Sequence, residues 1–497
     1  MRLVGRWGVS NPRLFSVDGG LTDVVDTEPN NEATTAQKVA VNSAVAGMSD
    51  ENNVDMFRFA ASKGQRIVID CQAGKLDSMM DATMSLSTAA TCTLTGTQFA
   101  ASTTGLANCQ TLLVTNSPVV RDTEPNDVED QAQPVALPLV VSGRFDKPRD
   151  ADWFEFEVPE SGQYGFDVYC ERINGRADPY LVVVDDKGNR INELDDFGHR
   201  INAFDGHLRD PAGMVNLTEK RKYRVLVQDR YRRGGARYQY VLAIQKQRQD
   251  FYAAVIHSQN PNPGGTNIWR GGSVYMDVII HQQQGYNEPI TITAENLPGG
   301  VHVAPTVINN NSRGTLVITA DDNAADYTGP IKLIATGKRG EETLRREVRP
   351  YSRVWNNTGM NSSRPSRELV VAIRDGAPYR LEWSVEQIEV EAGKEAALTL
   401  RLICRWSDFK ADVTVQPLTF PGNFKMSNTS FKGDQTELTI PITVQNNTRP
   451  GDYTLTVQGQ GQVPFNRDAE AKDRPNTLVS PPSRSVTLRV IEPQKSE

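Results

Sequence analysis

An internal repeat in the first half of the chain constrains the fold more than any single motif does. Two copies carry the same short motifs in the same order. These motifs are D-T-E-P-N-[ND] at residues 26–31 and 122–127, A-Q at 36–37 and 132–133, and [ND]-x-D-[MW]-F-x-F at 53–59 and 150–156. Because all three pairs keep an offset near 97 residues, this half is predicted to contain two copies of one structural unit.

Alternating side chains inside the repeat predict β-strands. Phe154, Phe156 and Val158 alternate with charged residues, which is the period-two pattern of a half-buried strand. Residues 223–227 and 238–244 show the same alternation. Amphipathic patterns at helical spacing are nearly absent, so the unit is predicted to be an antiparallel β-sandwich.

A second, weaker repeat occupies the other half of the chain. Residues 247–350 and 380–492 align at an offset near 122, and L-P-G-G at 297–300 corresponds to F-P-G-N at 420–423. Each copy consists of alternating strands separated by Gly, Pro and Asn turns, which predicts an immunoglobulin-like sandwich. The segment 351–379 begins with a Ser/Asn-rich stretch and is predicted to be a linker.

The motifs of the first repeat carry a family resemblance. The order E-P-N-[ND], A-Q, D-x-D-[WM]-F-x-F, a glycine turn and D-P-Y-L resembles the bacterial pre-peptidase C-terminal (PPC) domain, a small β-sandwich of secreted proteases and large exported proteins. The second copy, from about residue 122 to residue 246, matches this pattern along its whole length. Residues 26–116 match it only to about residue 86, because the Ala/Thr-rich stretch 88–115 departs from it.

The two repeats predict an all-β chain of serial antiparallel β-sandwiches, two PPC-like of jelly-roll type and two Ig-like. The predicted segments are 1–25 (an orphan strand of a missing upstream domain), 26–116 and 117–246 (PPC-like), 247–350 (Ig-like), 351–379 (linker) and 380–497 (Ig-like with a polar C-terminal segment).

Composition excludes several classes of function. The chain has 61 acidic and 54 basic residues, a net charge of −7, and no clustered basic face of the kind that nucleic-acid binding needs. It has no apolar run of about 18 residues, so no transmembrane segment is predicted. The five His residues never fall at ligand spacing, and G-x-S-x-G, H-E-x-x-H and P-loop motifs are absent. We therefore predict that the chain is not an enzyme.

The first repeat also contains clustered oxygen donors, the ligands that calcium prefers. In collagen-binding modules that resemble this family, the matching acidic segment and D-x-D turn hold calcium. The resemblance makes Asp122, Glu124, Asn126, Asp127, Asp150 and Asp152 candidate calcium ligands. The weaker copy offers Asp26, Glu28, Asn30, Asn31 and Asp55, with Asn53 in place of one carboxylate. In the alternative interpretation, E-P-N-[ND] is a linker turn and D-x-D caps the start of a strand, without a bound metal.

Two further charged groups lie in the second copy. Six aspartates, at positions 178, 185, 186, 195, 196 and 205, occupy predicted loops and are interpreted mainly as solvated turn residues. The run 230–240 combines four arginines with three tyrosines. These residues either stack on a sugar or peptide, or form a hairpin with a tyrosine face in the core and an arginine face in water.

The predicted function is that of a non-catalytic binding, adhesion or structural module of an exported or cell-surface protein. Its expected partner is a polysaccharide or an extracellular protein, and its expected location is extracellular or in the cell envelope. The first residues, M-R-L-V-G-R-W, lack the apolar core of a signal peptide. Since residues 1–25 also lack a repeat partner, we expect a truncated N-terminus. The alternative is the accessory C-terminal portion of a secreted protease or other hydrolase whose catalytic domain lies upstream.

Overall fold

A computed structural model describes most of the second half of the chain and shorter parts of the first. The described residues are 2–6, 8–13, 20–48, 54–62, 65, 67, 69, 71, 113, 115, 117–173, 175–196, 210–235, 237–257, 266–309, 311–353, 363–406, 409, 412–464, 466 and 471–493. The chain divides into two compact units, one within residues 13–109 and the other formed by residues 2–12 and 110–497.

The N-terminal residues form a small hairpin of β1 (Val4–Gly5) and β2 (Gly8–Val9). The backbone N–H of Val9 donates to Oδ1 of Asn267 at 2.8 Å, and Nδ2 of Asn267 donates to the Val9 carbonyl at 3.2 Å. Gly8 has a φ of 128°, and a Cβ there would overlap the Asn267 amide. Residues 1–25 were predicted to be an orphan strand, whereas the described hairpin is bound to residue 267 of its own chain.

The unit within residues 13–109 contains four short strands among its described residues. They are β3 (Thr22–Val25), β4 (Gln37–Lys38), β5 (Ser43–Ala46) and β6 (Phe57–Arg58). β3 pairs with β5 and β4 pairs with β6, both in parallel. Residues 88–112, which make up nearly all of the stretch that departs from the PPC pattern, lie outside the described residues.

The next sandwich contains the second copy of the repeat. Its strands are β7 (Val119–Arg121), β8 (Gln133–Val135), β9 (Leu139–Arg144), β10 (Asp152–Glu157), β11 (Gly162–Tyr169), β12 (Pro179–Asp185), β13 (Arg190–Leu194), β14 (Ala212–Leu217), β15 (Lys222–Asp229) and β16 (Gln239–Lys246). Short 3-10 helices lie at Glu129–Gln131 and Glu171–Ile173. The two sheets have the orders β13-β12-β15-β10-β8 and β14-β11-β16-β9-β7.

The core of this sandwich follows from the alternation seen in the sequence. Phe154 and Phe156 of β10 are buried, and the ring of Phe156 meets that of Phe166 on the opposite sheet, with 6.3 Å between the centroids. Glu155, which lies between the two β10 phenylalanines, points away from the core and pairs with Lys222 and Arg224 of β15. The strand predicted at residues 154–158 is therefore confirmed, because burial of every second side chain fixes the face that packs inward.

The third sandwich follows after three residues. Its strands are β17 (Asp250–His257), β18 (Thr266–Arg270), β19 (Ser273–Gln283), β20 (Ile290–Glu295), β21 (Val301–Val303), β22 (Thr306–Ile308), β23 (Arg313–Ala320), β24 (Tyr327–Arg339), β25 (Glu342–Glu347), β26 (Arg349–Arg353), β27 (Ser363–Pro365) and β28 (Leu369–Gly376). The sheets have the orders β21-β23-β19-β17-β26-β27 and β18-β28-β24-β20-β22, with β25 also paired to β24.

The described part of the predicted linker, 351–379, is not a linker. β28 pairs with β18 and β24, and its side chains Val371 and Ile373 are fully buried in the core of the third sandwich. The Ser/Asn-rich composition that suggested a linker belongs to the stretch before this strand. The apolar run 369–373 instead completes the second sheet, because its burial removes apolar surface from water.

The fourth sandwich begins three residues after β28. Its strands are β29 (Tyr379–Trp383), β30 (Gln387–Glu391), β31 (Glu395–Cys404), β32 (Val413–Leu418), β33 (Phe424–Lys425), β34 (Thr429–Phe431), β35 (Glu437–Val444), β36 (Gly451–Pro464), β37 (Asn476–Val479) and β38 (Val486–Ile491). The sheets have the orders β29-β31-β35-β33 and β30-β38-β36-β32-β34, with β37 paired to β36.

The predicted all-β fold is confirmed, although the sheets are mixed and not purely antiparallel. β7 runs parallel to β9, and β8 runs parallel to β10. Because β7 and β8 lie in different sheets, the chain crosses from one sheet to the other before each pair forms, a connection that permits parallel pairing. In the part of the chain that the structure describes, helices with the length and apolar character needed to span a membrane are absent.

Candidate metal centre

The E-P-N turn of the second copy is held by its own side chains. The backbone N–H of Asn126 donates to Oε2 of Glu124 at 3.1 Å, and Nδ2 of Asn126 donates to Oδ1 of Asp122 at 2.9 Å. The Asn126 carbonyl accepts a hydrogen bond from the N–H of Trp153 at 3.1 Å. These bonds fix the turn against the D-x-D segment, and Asn126 is fully buried between them.

Gln133, from the A-Q motif, braces the turn from the other side. Its Oε1 accepts from the N–H of Thr123 at 2.9 Å, and its Nε2 donates to the carbonyl of Arg121 at 2.9 Å. Sequence analysis used A-Q only as a landmark. Its recurrence in both copies was the signal that this residue shapes the site.

The fold brings three of the predicted carboxylates together. Glu124, Asp150 and Asp152 each have a carboxylate oxygen within 4.8 Å of the other two. Asp150 and Asp152 are 1% and 0% exposed, because the D-x-D segment enters β10 beneath the E-P-N turn. Carboxylates buried this deeply require a compensating charge or a proton.

One oxygen of each buried aspartate has a hydrogen-bond donor. Oδ2 of Asp152 accepts from the hydroxyl of Tyr240 at 2.6 Å, and Oδ2 of Asp150 accepts from the backbone N–H of Asp146. Within the described residues, Oδ1 of Asp150, Oδ1 of Asp152 and Oδ1 of Asn126 are buried without a hydrogen-bond donor. An unsatisfied buried polar group costs about 1–3 kcal/mol. Nζ of Lys147 lies 3.7 Å from Oδ1 of Asp150 and compensates part of that cost at Asp150.

The pKa values of these groups reflect their burial. Burial, followed by the nearby charge of Asp122, raises the pKa of Asp152 to about 9. Burial also raises the pKa of Asp150 to about 6 and that of Asp122 above its usual value. A divalent cation reverses this effect, since it stabilises the ionised carboxylates.

The donor set fits calcium. The cluster offers carboxylate oxygens without His or Cys in the group, the amide oxygen of Asn126 is buried without a donor among the described residues, and hard cations such as Ca²⁺ prefer oxygen ligands. The remaining two candidates have other partners. Asp122 positions Asn126, while Asp127 pairs with Lys147 at 2.7 Å, which lowers the pKa of the Asp127 carboxyl.

The first copy reproduces the turn. The N–H of Asn30 donates to Oε2 of Glu28 at 3.0 Å, and its Nδ2 donates to Oδ1 of Asp26 at 2.7 Å. Asp26, Glu28 and Asp55 have carboxylate oxygens within 4.8 Å of one another, and Asn30 is fully buried. Asn31 is exposed, and Asn53 lies outside the described residues.

The other aspartates of the second copy divide into two groups. Asp178, Asp195 and Asp196 have carboxylate oxygens within 4.8 Å of one another, and Nη1 of Arg230 lies 3.5 Å from Asp195. Asp185 instead accepts backbone hydrogen bonds that close the turn after β12, the turn role that its sequence predicted. The predicted loop residue at position 205 lies outside the described residues.

Sequence analysis missed Tyr240 as a residue of the site. Its position in the alternation of β16 predicted only a core residue, and its ring does stack on Phe145 with 4.8 Å between centroids. Its hydroxyl reaches Asp152 from 88 residues away. The local pattern carries no signal for such a distant contact.

In the described residues from 117 to 493, the chain is a series of three consecutive β-sandwiches, each with its own hydrophobic core. No family model and no curated protein matches the chain. Among solved structures it is similar to the pre-peptidase C-terminal domain of a collagenase from Bacillus anthracis, at 17% identity over 25% of this chain and 99% of that one, with a TM-score of 0.18.

Two further similarities cover more of the chain. Fibronectin(III)-like modules of Clostridium thermocellum CbhA match at 11% identity over 49% of this chain and 97% of theirs, with a TM-score of 0.14. Domains 5–6 of the S-layer protein SbsC match at 14% identity over 49% of this chain and 99% of theirs, with a TM-score of 0.18. Because these identities and TM-scores are low, the assignment of the chain to the β-sandwich class rests on its own sheets and hydrophobic cores.

Proposed function

We propose that the chain is a calcium-binding, non-catalytic array of β-sandwiches that belongs to an exported or cell-surface protein and binds a polysaccharide or an extracellular protein. One observation carries the metal part of the proposal. Carboxylate oxygens of Glu124, Asp150 and Asp152 lie within 4.8 Å of one another, and among the described residues Oδ1 of Asp150, of Asp152 and of the neighbouring Asn126 is buried without a hydrogen-bond donor.

Calcium at this site would connect the E-P-N turn to strand β10 of the core. Glu124 and Asn126 belong to the turn, whereas Asp150 and Asp152 precede and begin β10. An ion bound between them would stabilise the start of the sandwich, because it would neutralise carboxylates that otherwise repel one another. The proposed role of the metal is therefore structural.

The connection between the second and third sandwiches supports a role in holding domains at fixed positions. The N–H of Gln247 donates to the Gln163 carbonyl at 2.8 Å, and its Nε2 donates to the Gln284 carbonyl at 2.7 Å. Nε2 of Gln249 donates to the Gly285 carbonyl at 3.1 Å. A three-residue connection fixed at both ends limits rotation between the two sandwiches.

The third and fourth sandwiches are joined still more extensively. Trp269 of β18 packs against the core of the fourth sandwich. Nη1 of Arg405 donates to the Arg270 carbonyl at 2.9 Å, and Nη1 of Arg380 lies 3.1 Å from Oδ2 of Asp322. Such contacts suit a spacer that presents loops at defined positions.

Isothermal titration calorimetry tests the metal site. The full chain is treated with chelator, dialysed and titrated with CaCl₂. We expect saturable binding that Asp152→Asn removes at the stronger site and Asp55→Asn removes at the weaker site. Asp130→Asn, an exposed carboxylate four residues beyond Asn126, serves as the matched control and should leave both sites intact.

Two results would overturn the metal proposal. One is a full chain, shown to be folded by circular dichroism, that takes up no calcium at millimolar concentration. The other is calcium binding that survives both Asp152→Asn and Asp55→Asn unchanged, since the ion would then occupy another place.

A further inference from the structure

The arginine- and tyrosine-rich run of the second copy separates into a buried part and an exposed part. Tyr240 is 1% exposed and lies in the core, as expected of a hairpin with a tyrosine face. Tyr231 instead lies in the loop that follows β15, and it is 67% exposed. The exposed part is not explained by packing within the sandwich.

Two other loops bring arginines to the same end of the sandwich. The backbone N–H of Arg149 donates to the Arg232 carbonyl at 3.0 Å, and the N–H of Arg176 donates to the Arg237 carbonyl at 2.9 Å. All four arginines are exposed. We call Arg149, Arg176, Arg232 and Arg237, together with Tyr231, the arginine surface.

Positive charge on this surface is only partly neutralised. In the described part of the chain, Arg149, Arg176 and Arg232 have no ion pair. The neighbouring arginines do form ion pairs, since Arg230 lies 3.5 Å from Asp195 and Arg233 lies 3.0 Å from Asp229. The three arginines without an ion pair place positive charge on adjoining loops of a chain whose net charge is −7, at an end of the sandwich that also carries Asp178, Asp195 and Asp196.

The exposed tyrosine is held in place from below. The Arg233 guanidinium lies 4.8 Å from the ring centroid of Tyr231 and 5.7 Å from that of Tyr238. Asp229, which is fully buried, accepts hydrogen bonds from the backbone N–H groups of Tyr231 and Arg233 and from the Arg233 guanidinium. A ring fixed in this way loses little conformational entropy when it contacts a ligand.

We propose that the arginine surface binds an anionic polysaccharide, a sugar chain that carries carboxylate or sulfate groups. Guanidinium groups bind such anions through paired hydrogen bonds, and the exposed Tyr231 ring offers a flat apolar face for the C–H face of a sugar. The surface lies on loops at one end of a rigid sandwich, where binding residues are commonly placed.

This inference names the ligand class of the proposed binding function and rests on that function, but it does not depend on calcium. A single-stranded nucleic acid is disfavoured because its bases stack on successive aromatic side chains, whereas the arginine surface contains one ring, that of Tyr231. An acidic peptide would satisfy the arginines and leave Tyr231 without a specific role.

Binding of defined polymers to the full chain tests the inference. Polygalacturonate supplies carboxylates, dextran sulfate supplies sulfates, and uncharged dextran is the neutral control. We expect binding to at least one anionic polymer, weakened by added NaCl. The double variant Arg149→Ser/Arg232→Ser should weaken that binding roughly tenfold or more, and Tyr231→Ala should weaken it severalfold.

The matched control removes the same charge from the opposite end of the sandwich. Lys187 and Lys220 lie in the turns that follow β12 and precede β15, away from the arginine surface. Lys187→Ser/Lys220→Ser should therefore bind like the original chain. Circular dichroism of every variant establishes that it is folded.

Three results would overturn the inference. The first is no binding to either anionic polymer, and the second is an equal loss of binding in the lysine and arginine variants. The third is binding to poly-glutamate or to a single-stranded oligonucleotide that is as tight as binding to the polysaccharides. A chain that binds calcium but neither polysaccharide contradicts this inference alone. A chain that binds the polysaccharides but takes up no calcium contradicts only the proposed metal site.

Discussion

The hydroxyl of Tyr240 donates a 2.6 Å hydrogen bond to Oδ2 of Asp152, and both side chains are buried. Asp152 begins β10 in one sheet, whereas Tyr240 lies on β16 in the other. The bond therefore joins the two sheets of the second sandwich at the carboxylate cluster. It leaves Oδ1 of Asp152 as the oxygen available to a cation.

Removal of this hydroxyl should weaken the sandwich. Tyr240→Phe keeps the ring and its contact with Phe145 but leaves both Asp152 oxygens without donors, so we expect a loss of about 1–3 kcal/mol in the free energy of unfolding in chelator. Urea unfolding measures the loss. Tyr231→Phe, at an exposed ring, is the control, and an equal loss in both variants would contradict the role assigned to Tyr240.

Asp152→Asn should have opposite effects with and without calcium. Because the pKa of Asp152 is raised to about 9, the ion-free fold favours a neutral side chain at neutral pH, and its stability falls as pH rises toward that pKa. The neutral amide should therefore raise the melting temperature in chelator and abolish the further rise that calcium gives to the original chain. Differential scanning calorimetry measures the melting temperatures in chelator and in calcium. A lower melting temperature of the variant than of the original chain in chelator would contradict a cost of burying the ionised Asp152 carboxylate.

His257 should make the third sandwich sensitive to acid. Burial, followed by the charges of Arg2 and Arg353, lowers the pKa of His257 to about 4. Between pH 6.5 and 4 the unfolded chain binds a proton that the folded chain does not, so stability falls as pH falls through this window, by about 3 kcal/mol in total.

The histidine contribution can be isolated by comparison with His257→Gln. The stability difference between the original chain and this variant should change with pH between 6.5 and 4 and remain constant above pH 7. Carboxylates such as Asp150 titrate in both proteins, so their contribution cancels. A difference that is constant throughout would contradict the lowered pKa.

Trp269 should couple the third and fourth sandwiches. Its side chain extends from β18 to the core of the fourth sandwich, so Trp269→Ala is expected to cost about 2 kcal/mol and to separate a shared calorimetric transition into two. Tyr327→Ala, which removes a partly buried ring packed against the third sandwich's own core, should lower stability without that separation. Unchanged cooperativity in Trp269→Ala would show that the polar contacts alone join the sandwiches.

Much of the fold was predictable because its signal is local. Alternation at residues 154–158 identifies β10, and the recurring E-P-N turn identifies the candidate donors, since a period of two and a side-chain-braced turn depend on adjacent residues only. The strand Leu369–Gly376 was missed because a linker-like stretch precedes it and its partners, β18 and β24, lie far away in the sequence.

The sequence by itself therefore determined the repeat, the strand character and the pool of oxygen donors. Only the tertiary structure decided which of them act together: Asp127 pairs with Lys147, Asp152 meets Tyr240, and the loops of Arg149 and Arg176 join the loop of residues 230–237. The physical reason is that strand pairing across two sheets sets these contacts, and pairing depends on burial summed over the whole sandwich.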